Sequence, residues 1–254
     1  MVLASGVIAS AQFEVASIKP AAPDARGMRC RGGPGTAEPG MLTCENYSLS
    51  YLVMMAYNLH GFQLPAPDWM DAARFNVVAK IPSGAGRREF DSMLQRLLAE
   101  RFGLRVHFEK KNVTVYELTV ARNGPKLKES QEPESPKPEA PWRPPAGGPP
   151  ARTMSRVSRK GDSIADLADF LSNQLGQPVI DATGLRGRYD YQMSFLMEPG
   201  GQAAGPVASN SSEPDVGTGL IDAVRDQLGL KLEKKKGQID LLIVDHAEKV
   251  PVEN

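Results

Sequence analysis

The sequence predicts an α+β protein of two similar lobes, each a helix packed on a small, mainly antiparallel sheet with long Pro/Gly-rich loops. Three observations carry this. Apolar residues recur at helical spacing in four separate stretches, and short alternating runs lie between them. Two stretches also repeat one plan: Leu97–Val120 (LLAERFGLRVHFEKKNVTVYELTV) and Ala223–Val244 (AVRDQLGLKLEKKKGQIDLLIV). Each has a helix end, a Gly-Leu pivot, a strand, a lysine-rich turn and a second strand, which reads as a duplicated α-β-β unit.

Taken in order, Phe13–Ile18 alternates as a strand ended by Lys19-Pro20, and a Gly/Pro loop holding both cysteines follows. Leu49, Leu52, Val53, Ala56 and Tyr57 then form a helix face with Asn46 or Ser48 as the cap and Gly61 as the stop. Pro65, Pro67 and Trp69 mark an irregular turn before a strand over Phe75–Ile81. The helix Arg87–Phe102 carries Phe90, Met93, Leu94, Leu97 and Leu98 on one face, and Gly103 closes it where a left-handed residue is wanted. Leu104–Phe108 and Val113–Val120 read as a hairpin turning at Lys110-Lys111-Asn112. In the second half, Ser163 with Asp166 resembles a capping box for a helix ending at Gly176. Tyr189, Tyr191, Met193 and Phe195 alternate with polar residues as a strand. A last helix ends at Gly229, and Leu230–Leu232 and Ile239–Val244 read as paired strands.

The expected organisation is a signal remnant over 1–11, an N-terminal α+β lobe over 12–125, a Pro-rich linker or long loop over 126–161, and a C-terminal α+β lobe over 162–254 with a flexible insertion at 199–219. The linker holds eight of the twenty-one prolines and cannot bury a core. Ala9-Ser10-Ala11 fits the small-x-small pattern before a signal-peptidase cut, so the mature chain is expected to be exported, periplasmic or secreted. No stretch approaches the ~20 apolar residues of a membrane span.

Thirty Lys and Arg balance thirty Asp and Glu, which excludes nucleic acid as a generic partner and a polybasic membrane binder. The partners left are an envelope protein or a small-molecule ligand. The two cysteines, Cys30 and Cys44, flank RGGPGTAEPGMLT. An even count in an exported chain favours a disulfide, which stabilises a loop of this size by roughly 3 kcal/mol. The competing two-thiolate metal site lacks a nearby His or third Cys.

Chemistry is written faintly. His246 is the best candidate base, with Asp245 beside it at a strand end, and His60 is the second. A lone His on such an element is more often structural, and no pair of His residues stands at zinc-ligand spacing. G-x-S-x-G and S-x-x-K are both missing. Asp162, Asp166 and Asp169 cluster at one helix start and suggest a divalent cation such as calcium, although carboxylates also suit the helix dipole there.

Several motifs in combination resemble one family. They are FEVASIKP (Phe13–Pro20), the Cys30–Cys44 loop with GGPGT, MLQRLLAERFGL (Met93–Leu104), PVIDATGLRGRYDY (Pro178–Tyr191), DQLGLKLE (Asp226–Glu233) and the terminal IVDHAEKVPVEN. Together they resemble the exported, Acidobacteria-type DUF3738 proteins over nearly the whole mature chain. That resemblance implies export and no particular activity. The helix–Gly–strand units also look, more loosely, like the short N-terminal domain of secretins and TonB-dependent receptors, which implies recognition through exposed strand edges. The expected function is therefore a non-catalytic envelope or secreted recognition module. The alternative is a secreted hydrolase of small esters or lactones, metal-assisted, with its site between the lobes.

Overall fold

A computed structural model describes residues 12–131, 153–197 and 219–252. The expected signal remnant at 1–11 and nearly all of the insertion at 199–219 lie outside the described residues. The chain is α+β, with five α-helices and ten strands in three small sheets among those residues. It divides into two units. Among the described residues the first holds 12–109 and 242–252, and the second holds 110–131, 153–197 and 219–241.

The first unit is built on a four-stranded antiparallel sheet of β1 (Val15–Pro20), β2 (Arg29–Gly32), β3 (Met41–Ser48) and β4 (Arg74–Lys80), in the order β1-β4-β3-β2. Alternation along β4 turns Phe75, Val77 and Ala79 inward and leaves Asn76, Val78 and Lys80 exposed. Helix α1 (Leu49–Tyr57) starts on Ser48, whose side chain accepts the Tyr51 N–H. It ends at Asn58 rather than at Gly61, because Asn58 itself takes the left-handed conformation at φ 50°. The irregular turn expected around Trp69 is the short helix α2 (Asp68–Ala72). Helix α3 (Arg87–Phe102) buries Phe90, Met93, Leu94, Leu97, Leu98 and Phe102 and closes on Gly103 at φ 56°. These side chains share one core with α1 and the inner faces of β3 and β4.

The cysteines lie on strands, not in a loop. Cys30 on β2 faces Cys44 on β3 across the ladder, and the two form a disulfide with Cα atoms 4.0 Å apart.

In the second unit the segment read as a linker has strands at both ends. They are β6 (Lys128–Glu129) and β7 (Thr153–Ser163), and both pair antiparallel with β9 (Arg188–Met197). Residues 132–152 lie outside the described set. Proline composition misled here because the strand ends are polar and hold no proline. Helix α4 (Ile164–Leu175) carries the expected capping box, and α5 (Leu220–Leu228) closes on Gly229 at φ 65°. Between them β8 (Val179–Asp181) pairs in parallel with β5 (Arg105–Val120). Leu118, Leu167, Leu171, Tyr191, Phe195 and Val224 are among the residues of this unit's core.

The two expected hairpins are each one uninterrupted strand, β5 and β10 (Leu230–His246). They pair with each other, and their contacts run antiparallel: His107 meets Asp245, Thr114 meets Lys236, Glu117 meets Lys235, and Thr119 meets Lys231. Neither Asn112 nor Gly237 has the positive φ a tight hairpin turn demands. The chain leaves the first unit within β5, at Glu109–Lys110, and returns to it within β10, at Leu241–Leu242.

Candidate functional site

The sequence-predicted catalytic residues do not converge. Successive residues on a strand face opposite ways, so Asp245 and His246 take different partners. Asp245 binds the Nδ1 of His107 through both carboxylate oxygens at 3.0 Å, and His246 Nε2 lies 3.0 Å from Glu248 Oε1. Both histidines are well exposed, His107 at 52% and His246 at 40% of the side chain, which is the setting of surface ion pairs. His60 precedes the 3-10 turn Gly61–Gln63, stacks on Phe62 with ring centroids 5.0 Å apart, and donates its backbone N–H to Gln63 Oε1.

The three aspartates are also accounted for singly. Asp162 is buried and accepts the Tyr191 hydroxyl at 3.2 Å, with Arg159 at 3.7 Å. Burial and the neighbouring Asp162 carboxylate push the Tyr191 hydroxyl well above its ordinary range. Asp166 accepts both the backbone N–H and the hydroxyl of Ser163 at 2.8 Å, so it serves the helix cap. The Asp169 carbonyl accepts from Asn173 Nδ2. Among the described residues no group of three or more His, Cys, Asp or Glu side chains is placed to hold a metal ion.

The most site-like feature lies in the first unit, away from every residue expected to be catalytic or metal-binding. A cavity of about 510 Å³ runs along β2 and the loop after it, and is walled by Met28, Leu42, Tyr47, Met55, Phe90 and Arg87. Its size suits a small ligand or one peptide end. Cys30 and Cys44 oppose each other with Cα atoms 4.0 Å apart, nearer the ~4.5 Å of a non-hydrogen-bonded antiparallel pair than the ~5.5 Å of a bonded one. The next bonded position agrees, since Gly33 N–H donates to the Met41 carbonyl at 2.9 Å. The N–H and C=O groups of Cys30 and Gly32 therefore point off the outer edge of β2, where no strand pairs among the described residues. Beyond β2 the chain turns through buried Gly33 and Pro34, and the Thr36 hydroxyl donates to the Gly33 carbonyl at 2.8 Å. Gly32 is required at the strand end: at φ 79° a Cβ would strike the Met41 carbonyl.

Arg87 is the one charged side chain in that wall held by the core. Its side chain is 9% exposed, its Nε donates to Asp91 at 2.7 Å, and its guanidinium lies 5.8 Å from the Phe90 ring centroid. Its Nη2 is buried and has no hydrogen-bond partner. Tyr47 lies in the same wall, with its hydroxyl pushed up to about 12 by burial and by neighbouring Tyr51. A second cavity of about 620 Å³, in the second unit, is lined by Arg122, Lys126, Arg225 and Lys231. Its cations are largely engaged, Arg225 with Asp222 and Asp226, Lys231 with Glu233, and Lys126 with the Asp226 carbonyl.

An α+β chain with open strand edges and a partly apolar cavity is the class these features define. The chain belongs to the DUF3738 family, proteins of unknown function, whose model matches residues 50–247. The motifs at Phe13–Pro20 and in the cysteine loop lie before the matched stretch, and the last residues of the terminal motif lie after it. Comparison with curated proteins and with solved structures yields no match.

Proposed function

We propose that this protein is an exported recognition module that captures an extended segment of an envelope protein by strand addition. The observation that carries the reading is the outer edge of β2, which pairs with no strand among the described residues and whose Cys30 and Gly32 line the cavity. Such an edge invites pairing unless it is short, charged or covered, and β2 is a short edge flanked by exposed Arg29 and Arg31. That favours a selective partner over indiscriminate sheet extension. Export is supported by the Cys30–Cys44 disulfide, which persists in an oxidising compartment, and by the small apolar run at the N-terminus. No helix among the described residues is long and apolar enough to cross a membrane.

The test is photo-crosslinking in intact cells with a photoreactive side chain at position 31, on the β2 edge, and at position 100, on the solvent face of α3. The expected result is a discrete adduct in the periplasmic or secreted fraction from position 31 alone. Equal adducts from both positions, or a wholly cytoplasmic protein, would overturn the reading.

One observation favours hydrolysis as the second reading: the His107 imidazole is held by Asp245, an arrangement that general bases use. That reading expects turnover of an ester and lactone panel, lost in His107→Ala or His246→Ala variants that still fold. A flat panel, with and without added calcium or zinc, removes it.

A further inference from the structure

We infer that the cavity beside β2 receives the carboxy-terminal end of an extended peptide whose last side chain is apolar, with Arg87 taking the terminal carboxylate. This rests on the strand-addition reading and specifies what the edge captures. Three features converge on it. The first is Arg87 itself, a guanidinium with Nε committed to Asp91 and Nη2 buried without a partner. A buried donor of this kind is satisfied best by an anionic oxygen, and the guanidinium fork matches a carboxylate. Arg87 also begins α3, so the positive end of the helix dipole lies beside it. The one carboxylate of that first turn, Glu89, is occupied with the Gly86 N–H at 3.0 Å.

The second feature is the outward-facing backbone of Cys30 and Gly32, which supplies the ladder an extended chain needs. The third is the apolar wall of Met28, Leu42, Tyr47, Met55 and Phe90, which suits one hydrophobic side chain. The edge offers only the four residues Arg29–Gly32 before the chain turns away through Gly33 and Pro34. That length fits a chain end better than a strand passing through. Arg29 and Arg31 alternate with Cys30 along the strand, also line the cavity and form no ion pair among the described residues, so their charge adds an attractive field for an anionic terminus. A free small carboxylate would satisfy Arg87 but leave the strand edge unused.

The experiment uses the full chain, oxidised, against an array of random hexapeptides with free carboxy termini and the same array amidated. Binders are expected in the free-acid array, enriched in apolar last residues, and each is expected to lose ~10-fold or more in affinity on amidation. Arg87→Met is expected to abolish that preference for the free acid, and Arg87→Lys to restore part of it. Bound peptide is expected to slow amide hydrogen exchange at Cys30 and Gly32 in the wild type, and the peptide-free exchange pattern of each variant shows whether it still folds. Equal binding of acid and amide peptides, with the same exchange protection, overturns the carboxylate assignment and leaves strand addition standing. Binding of N-acetyl-leucine or decanoate as tight as the best peptide makes the occupant a small carboxylate and overturns the proposal. The absence of any binder in both arrays overturns it together with the reading on which it rests.

Discussion

The backbone N–H of Glu248 donates to the carbonyl of Phe102, the last residue of α3, at 2.7 Å. The second unit repeats the arrangement: Lys126 N–H donates to Leu228, the last residue of α5, at 2.8 Å. In each case a segment just beyond the end of one long strand caps the helix that leads into the other long strand. An open helix end has carbonyls without intrahelical partners, so each helix–glycine–strand run satisfies its counterpart. The two similar runs are thus reciprocal in their bonding, and neither forms the self-contained hairpin lobe expected from sequence.

This reciprocity makes the pivot glycines unequal. At both Gly103 and Gly229 the left-handed backbone makes alanine cost about 1–2 kcal/mol. At Gly229 the added Cβ also meets the Gly124 carbonyl, whereas at Gly103 the nearest atom is His246 Cδ2 at 3.7 Å. Gly229→Ala is therefore expected to lower the urea midpoint clearly more than Gly103→Ala. Equal losses would mean that the turn after β5 shifts freely.

Leu118 and Leu242 test the strand exchange directly. Both are fully buried, Leu118 late in β5 within the second core and Leu242 late in β10 within the first. Truncation of either to alanine is expected to cost about 2–5 kcal/mol. Hydrogen exchange should localise the loss to the second unit for Leu118→Ala and to the first for Leu242→Ala. A loss confined to 230–241 in the Leu242 variant would contradict the division.

The capping box at α4 has a simple measurable weight. Ser163 accepts the Asp166 N–H at 3.2 Å while Asp166 accepts the Ser163 N–H. Ser163→Ala is expected to destabilise the protein by about 1 kcal/mol in chemical denaturation. A neutral result would show that the β7 connection alone fixes the start of the helix.

Tyr47 gives an alkaline signature. Its hydroxyl rises from an ordinary 10.0 to about 12 in the folded state, through burial first and Tyr51 second. A folded value above the unfolded one gives stability that is whole below pH 10 and is lost as pH rises through about 12. Urea midpoints for the wild type are expected to fall across that interval, and Tyr47→Phe is expected to fall less steeply. Parallel curves would place the alkaline transition elsewhere, with Tyr191 the next residue to test.

Much of the fold is legible because it depends on neighbours in sequence. The apolar face of α3, the Ser163 cap and the glycines at 103, 176 and 229 act within one or two turns of chain. The two long strands read as hairpins because their lysines look like turns when each strand is taken alone. Lys235 instead pairs with Glu117 and Lys236 with Thr114, so each polar run is a cross-strand partner of the other. The cavity was illegible for a similar reason. It joins Cys30 and Gly32 on β2 to Arg87 and Phe90 on α3, and nothing near Arg87 in sequence shows that one of its nitrogens ends up buried and unpaired. His246 with Asp245 misled in the opposite way, since adjacency in a strand separates side chains onto two faces.

The return of the chain at Leu241–Leu242 also sets an order of events in time. The core of the first unit needs Leu242, so that unit is incomplete until the chain has been made through the second unit and into the end of β10. Domains usually fold as they emerge, N-terminal first. Here the first unit must wait for the end of β10, so its core stays open while the whole of the second unit is being made.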